Sequence, residues 1–275
     1  MALKLNATRD AYREFSKEAS GHPRNVDQMP VLIADGRVPM NVAQLMQRRL
    51  DVRNSDPDVK SSYMDNYFDT GDAVLYHPDG RVKIVHDSQT LRDMTPESPG
   101  SNDALILGED VYNTLQGEEF KKDKFGTVNN GLSRADVKSH PVWKVLARDK
   151  ELLNDYVDFI FGEYQGRFAK GTALDDLRLM GVYPDSAGDN PKLRAWCVSG
   201  LESRSNANGR DGLGCDYGRF VGIAPEALSA SGKGVSNIKT YTMADLQAVD
   251  KTMKSLEGIL HPDVLKPFAE LRKKL

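Results

Sequence analysis

The chain has 275 residues and 30.5 kDa, enough to bury a sizeable core without disulfides, and 39% apolar with 28% charged residues excludes a disordered polymer. A formal net charge of -3 excludes capture of nucleic acid or an anionic membrane by bulk charge, because phosphate binding draws on an excess of Lys and Arg. The first residues carry charge throughout, no segment approaches the ~20 apolar residues of a membrane span, and the two cysteines, Cys197 and Cys215, suit a reducing compartment; a cytoplasmic protein is expected.

In chain order, Leu5, Tyr12, Phe15 and Ala19 recur at helical spacing, with Asn6 or Thr8 as cap and Gly21-His22-Pro23 as stop, which predicts a short amphipathic helix. Residues 31–34 run into Asp35-Gly36 and then Arg37-Val38, which predicts a small hairpin. Asn41 and Gln44 spell a capping box for a helix with Val42, Leu45, Met46 and Leu50 on one face and Arg48 and Arg49 on the other. The acidic stretch 51–72 reads as a solvated segment with a loop at 54–58.

Val74 and Tyr76, the turn His77-Pro78-Asp79-Gly80, and Val82 and Ile84 form the clearest hairpin. Residues 95–102 are rich in breakers and mark a surface loop or a weak boundary, and residues 104–107 a short strand. Pro141 suits the first turn of a helix carrying Trp143 and Leu146. Leu152, Leu153, Tyr156, Val157, Ile160, Phe161 and Tyr164 predict a long helix with a buried face, ended by Gly166. Residues 193–198 and 219–224 read as strands around a glycine-rich loop, and residues 242–256 and 264–271 as closing helices. The predicted class is α+β, a mixed or mainly antiparallel sheet built from hairpins with packed amphipathic helices, in one globular domain over residues 1–275.

Phe68-Asp69-Thr70-Gly71 resembles the turn on which aspartic peptidases carry a catalytic carboxylate. Residues 104–110, Ala-Leu-Ile-Leu-Gly-Glu-Asp, resemble the apolar segment behind that turn in retroviral-type, dimeric members. The resemblance implies an Asp69 dyad across a dimer axis, two carboxylates sharing a proton. It covers about a sixth of the chain, and Asp72 stands where those enzymes carry a small residue. The residues by themselves read as a turn from Thr70-Gly71 into the Val74 strand.

Residues 203–219 are the most unusual in composition. Glycines such as Gly212 and Gly214 permit close approach of a ligand, and Arg204, Arg210 and Arg219 can hold a phosphate or carboxylate bidentately, with Asp216 completing the expected binding set. Neither the Walker pattern nor the dinucleotide fingerprint is present, since a strand and not a helix follows. Cys215 in this loop is a candidate nucleophile needing a histidine such as His140 or His77; Asp69, Cys215 and His140 are therefore the catalytic candidates. His77, Asp79, His86 and Asp87 cluster around one hairpin, but the pleat sets His86 apart, so no metal site is assigned, and no cofactor. Lys121, Lys122 and Lys124 beside Phe120 and Phe125, and the basic residues 272–274, read as solvated surface. The expected function is binding of a small anionic molecule or a protein partner, with a homodimer left open. A hydrolase working through the Arg/Gly loop or Asp69 is the alternative.

Overall fold

Period-two alternation along residues 73–76 and 193–198 builds the centre of the molecule. Val74, Tyr76, Trp196 and Val198 enter one apolar core, while Ala73, Leu75, Leu193 and Ala195 enter another on the opposite face. A computed structural model describes residues 2–7, 10–98, 100, 101, 103–121, 125, 130–186 and 188–230. The chain divides into two compact units, Met1–Ser231 and Gly232–Leu275. The helices expected at 242–256 and 264–271, Lys122, Lys124 and the basic residues 272–274 lie outside the described residues.

The strands are β1 (Tyr12–Ser16), β2 (Val38–Pro39), β3 (Phe68–Tyr76), β4 (Arg81–Val85), β5 (Gly100–Ser101), β6 (Ala104–Ile106), β7 (Glu118–Lys121), β8 (Val182–Tyr183), β9 (Lys192–Val198), β10 (Ala207–Asn208) and β11 (Arg219–Ile223). They form one mixed sheet whose main path runs β1-β11-β3-β9-β10-β8. Most pairings are antiparallel; β11 with β3 and β10 with β8 are parallel. The fold is thus α+β, with β1 closing on β11 so that the two ends of the described unit share one edge of the sheet.

The first core lies under the helices Val42–Asp51, Pro57–Met64, Pro141–Ala147 and Lys150–Phe168, and the second under Asn25–Ala34 and Glu109–Thr114. The Asn41/Gln44 capping box forms on both of its hydrogen bonds, and the hairpin β3–β4 pairs Val74 with Ile84 and Tyr76 with Val82 as its alternation demands. Pro141 occupies the first turn of its helix.

Elsewhere tertiary contacts override local pattern. Residues 12–16 form a strand, not a helix, because β11 offers a full antiparallel partner from Tyr12↔Ile223 to Ser16↔Arg219; the helical part shrinks to Lys17–Ser20, which does end at Gly21. Residues 31–34 belong to the helix Asn25–Ala34, whose Val26, Met29 and Leu32 are buried at i, i+3 and i+6. Gly36, at φ 71°, serves as its left-handed C-terminal cap and not as a hairpin turn. The acidic stretch holds the helix Pro57–Met64, started by Asp56 as cap and Pro57 in the first turn. Gly166 does not stop the long helix, which runs to Phe168, where Arg167 pairs with Asp65 at 2.7 Å and the Phe168 ring packs at a tilt against Tyr164. Arg49 is completely buried, not on a solvent face. Phe125 is buried too, stacked on Trp196 with centroids 6.0 Å apart.

Asp69-Thr70-Gly71 is an irregularity inside β3. The β3–β9 register passes from Asp69↔Cys197 directly to Ala73↔Ala195, leaving residues 70–72 on the β3 side opposite Trp196 alone. Thr70 Oγ1 donates to the Trp196 carbonyl at 2.8 Å, the Gly71 N–H donates to the Met40 carbonyl, and the Gly71 carbonyl accepts from the Ser88 N–H. Asp72 is thereby turned inward against Arg148.

Candidate functional site

The connection from β9 to β11, residues 199–218, is held from below by buried polar contacts. Asn206 and Ser199 tie its first arm through Ser199 N–H to the Asn206 carbonyl at 3.0 Å and Asn206 N–H to Ser199 Oγ at 2.8 Å. The Tyr76 hydroxyl donates to the Gly209 carbonyl at 2.9 Å. Arg194, almost fully buried, pairs with Asp185 and donates to the Asp103 and Asp211 carbonyls. The Leu213 N–H donates to Asp103 and its carbonyl accepts from Val26, so the second arm is anchored on both sides.

Glycine is required here, for a reason other than ligand access. A Cβ on Gly212 would come 2.5 Å from Cys215 Sγ and 2.7 Å from Asp103 Cβ, and one on Gly214 2.5 Å from Asp103 Oδ1. These two glycines let the loop close over Asp103.

The three expected arginines occupy three different environments. Arg219 is 9% exposed. Its guanidinium contacts Glu14 at 3.0 Å, Glu18 at 3.4 Å and Asn66 Oδ1 at 2.7 Å, so two carboxylates already neutralise it. Arg210 is exposed and lies over the Tyr183 ring, 5.3 Å from its centroid. Arg204 is exposed in a left-handed turn, its backbone engaged by Leu201 and Met180. Asp216 is exposed beside Lys17, at 3.8 Å. Tyr217, which the sequence did not single out, is 54% exposed and is the most exposed large apolar side chain among the described residues; its carbonyl accepts from the Tyr67 hydroxyl.

The catalytic candidates separate as well. Cys215 has Asp103 and Tyr217 as its polar neighbours, and burial, with Asp103 adding to it, pushes its thiol up; an activated nucleophile needs the opposite shift. His140 is buried at the junction of the helices Arg134–Ser139 and Pro141–Ala147. Asp69 is 3% exposed, and one of its carboxylate oxygens accepts the Arg219 N–H at 2.9 Å. Burial first, and the charge of Asp211 second, push its pKa up to about 7. Its carboxylate neighbour is thus Asp211 of the same chain. Cys197, buried in β9, joins them: one ligand atom each of Asp69, Cys197 and Asp211 lies within 4.8 Å of the others. No local signal exposes this group, because its members come from β3, β9 and the loop.

The polar hairpin end is a separate surface cluster. His77 contacts Asp79 and Glu109 at 2.7 Å each, and Arg81 contacts Asp79 at 2.7 Å, whereas His86 donates to the Val145 carbonyl at 3.0 Å. The Arg81 N–H, then its guanidinium and His77, hold Asp79 down at about 2. An aspartate in an unfolded chain titrates near ~3.9, so this stabilisation is full above about pH 4 and is lost as pH falls toward 2. Asp79→Asn is expected to lose less stability than the parent between about pH 4 and pH 2, read from urea midpoints; parallel acid limbs would refute this.

No protein-family model matches the sequence, and no curated protein matches it. A solved structure described as the accommodation of massive sequence variation in Nanoarchaeota by the C-type lectin fold is similar to this chain. The match has a TM-score of 0.56 at 15% identity, and covers 80% of this chain and 100% of that one. At such identity the likeness speaks for architecture alone. Among the described residues no helix is long and apolar enough to cross a membrane. The architecture, with β1 closed on β11 and a long anchored connection between β9 and β11, is similar to the C-type lectin fold.

Proposed function

We propose that the chain is a binding protein that engages a protein partner through the outer surface of residues 202–217. The observation that carries this is the contrast between a loop fixed from below and the side chains it holds outward: Tyr217 at 54% exposure and Arg210 over Tyr183. Tyrosine and arginine are the residues that concentrate binding energy at protein interfaces, and a pre-ordered loop loses little entropy on association. A small-anion site is the weaker reading, since Arg219 is neutralised by Glu14 and Glu18 and the arginines have separate surroundings. Free thiols at Cys197 and Cys215 favour a reducing compartment for this activity.

The test compares parent, Arg210→Ala/Tyr217→Ala and the control Arg53→Ala as baits. A protein retained by the parent, once purified, should lose at least about tenfold in affinity, ~1.4 kcal/mol, with the double variant and nothing with the control. Equal binding by all three would overturn the reading. Stabilisation by phosphate or citrate that vanishes in Arg210→Ala would return the weight to an anionic ligand.

A further inference from the structure

We propose that Asp69, Cys197 and Asp211 form a site for a thiophilic divalent transition-metal ion, with Zn²⁺ as its natural occupant. The proposal is independent of what the loop above it binds.

Asp69 and Cys197 are direct cross-strand partners in the β3–β9 register, which puts their side chains side by side, and Asp211 closes over them from the loop. Asp69 is 3% and Cys197 2% exposed. Two buried acidic groups with a partly exposed carboxylate beside them favour a cation, because a buried carboxylate without one is expensive. For Asp69 the nearby guanidinium does not supply it in full, since Arg219 gives Asp69 its backbone N–H while its side chain pairs with Glu14 and Glu18; Arg194 and Arg210 act by charge on Asp211.

The cluster also carries an unpaired acceptor. Asp69 Oδ1 is buried with no hydrogen-bond partner among the described residues, and so are both amide atoms of Asn25, which is 1% exposed. The Asn25 amide lies close enough to Asp69 to act as a weak donor to it and favour its charged form. Asp69 Oδ1, a buried acceptor beside a thiol and a second carboxylate, is an atom that a bound cation would satisfy.

The donor set selects the ion. One thiolate with carboxylates suits Zn²⁺, while Ca²⁺ and Mg²⁺ prefer all-oxygen shells. Tetrahedral ligands about 2.0–2.3 Å from zinc stand about 3.4–3.7 Å apart, so separations of up to 4.8 Å need only a small contraction, which the loop residue Asp211 can provide. Water completes the sphere, and the Cys197 thiol proton passes to solvent on binding. The ion would pin the loop to β3 and β9.

The test uses the full chain, stripped by a chelator and titrated with Co²⁺ as a spectroscopic probe and Zn²⁺ as competitor. The expected result is one Co²⁺ per chain with a thiolate-to-cobalt charge-transfer band, displaced by Zn²⁺, retained in Cys215→Ser and lost in Cys197→Ser. Asp211→Asn, in the partly exposed loop, should keep its circular dichroism and weaken Co²⁺ by more than the ~10–100-fold typical of outer-sphere changes. No thiolate band in the parent, a band that follows Cys215 instead of Cys197, or a folded Asp211→Asn that binds as the parent does would each overturn the site.

Discussion

Replacing Arg49 with methionine is expected to lower the unfolding free energy by about 3–5 kcal/mol. Arg49 is fully buried and forms no ion pair with a carboxylate among the described residues. Its Nε donates to the Tyr63 carbonyl at 2.9 Å, Nη1 to the Tyr156 hydroxyl at 2.8 Å, and Nη2 to the Asn66 and Ser199 carbonyls at 3.1 Å each. The Tyr63 carbonyl belongs to the last turn of the helix Pro57–Met64, where unpaired carbonyls carry partial negative charge and welcome a cation. Methionine keeps most of the apolar stem, so the loss isolates the head group. Backbone carbonyls cannot be mutated away, so the acceptors stay buried without donors, at about 1–3 kcal/mol each where water does not reach them. Arg49→Lys, with a single ammonium in place of a fork, should fall between the two. Denaturant unfolding measures this; a loss below about 1 kcal/mol with an unchanged slope would refute it.

The second large effect is expected at Arg148. Its Nη2 contacts Asp72 at 2.6 Å and its Nη1 contacts Asp87 at 2.7 Å. Asp72, completely buried, also accepts the N–H groups of Val42 and Asp87, and Asn41 holds Asp87 at 2.9 Å. The cluster therefore joins the β3 irregularity, the end of β4, the start of the helix Val42–Asp51 and the cap of the helix Pro141–Ala147. Arg148→Met retains the side-chain volume and the left-handed backbone at φ 62°, and strands two carboxylates. The loss should be about 3–5 kcal/mol at pH 7, a fall in Tm of roughly 6–20 °C.

The pH dependence gives this prediction its own signature. Burial already raises the Asp72 pKa, and Arg148 opposes that shift. Without Arg148 the folded value climbs further above the unfolded ~3.9. Between those values the native state binds a proton that the unfolded chain does not, so stability rises as pH falls, and the deficit should shrink from pH 7 toward about pH 5. Arg148→Met/Asp72→Asn should be more stable than Arg148→Met alone, as expected for groups in contact. A pH-independent deficit, or an additive double variant, would show that the cost lies in packing.

Much of this architecture is written in short-range patterns. The capping box at Asn41 and Gln44, the alternation through Val74, Tyr76, Val82 and Ile84, and the apolar face from Leu153 to Phe161 each need only neighbours a few residues away, and each forms as its pattern demands. The α+β class and the two strands around the glycine-rich loop follow from the same signals. What local pattern could not decide are the features whose partners lie far along the chain. Tyr12–Ser16 is a strand because β11 pairs with it, and Asp35-Gly36 ends a helix because a left-handed glycine serves a helix cap and a hairpin equally well. Arginine in sequence implies solvent, yet Arg49 is buried because four acceptors from three other segments converge on it. The glycines near Cys215 read as room for a ligand, and it took the fold to fill that room with Asp103. Asp69, Cys197 and Asp211 carry no mutual spacing signal, since sheet register and loop closure alone bring a strand, its neighbour and a distant turn into one coordination-sized space.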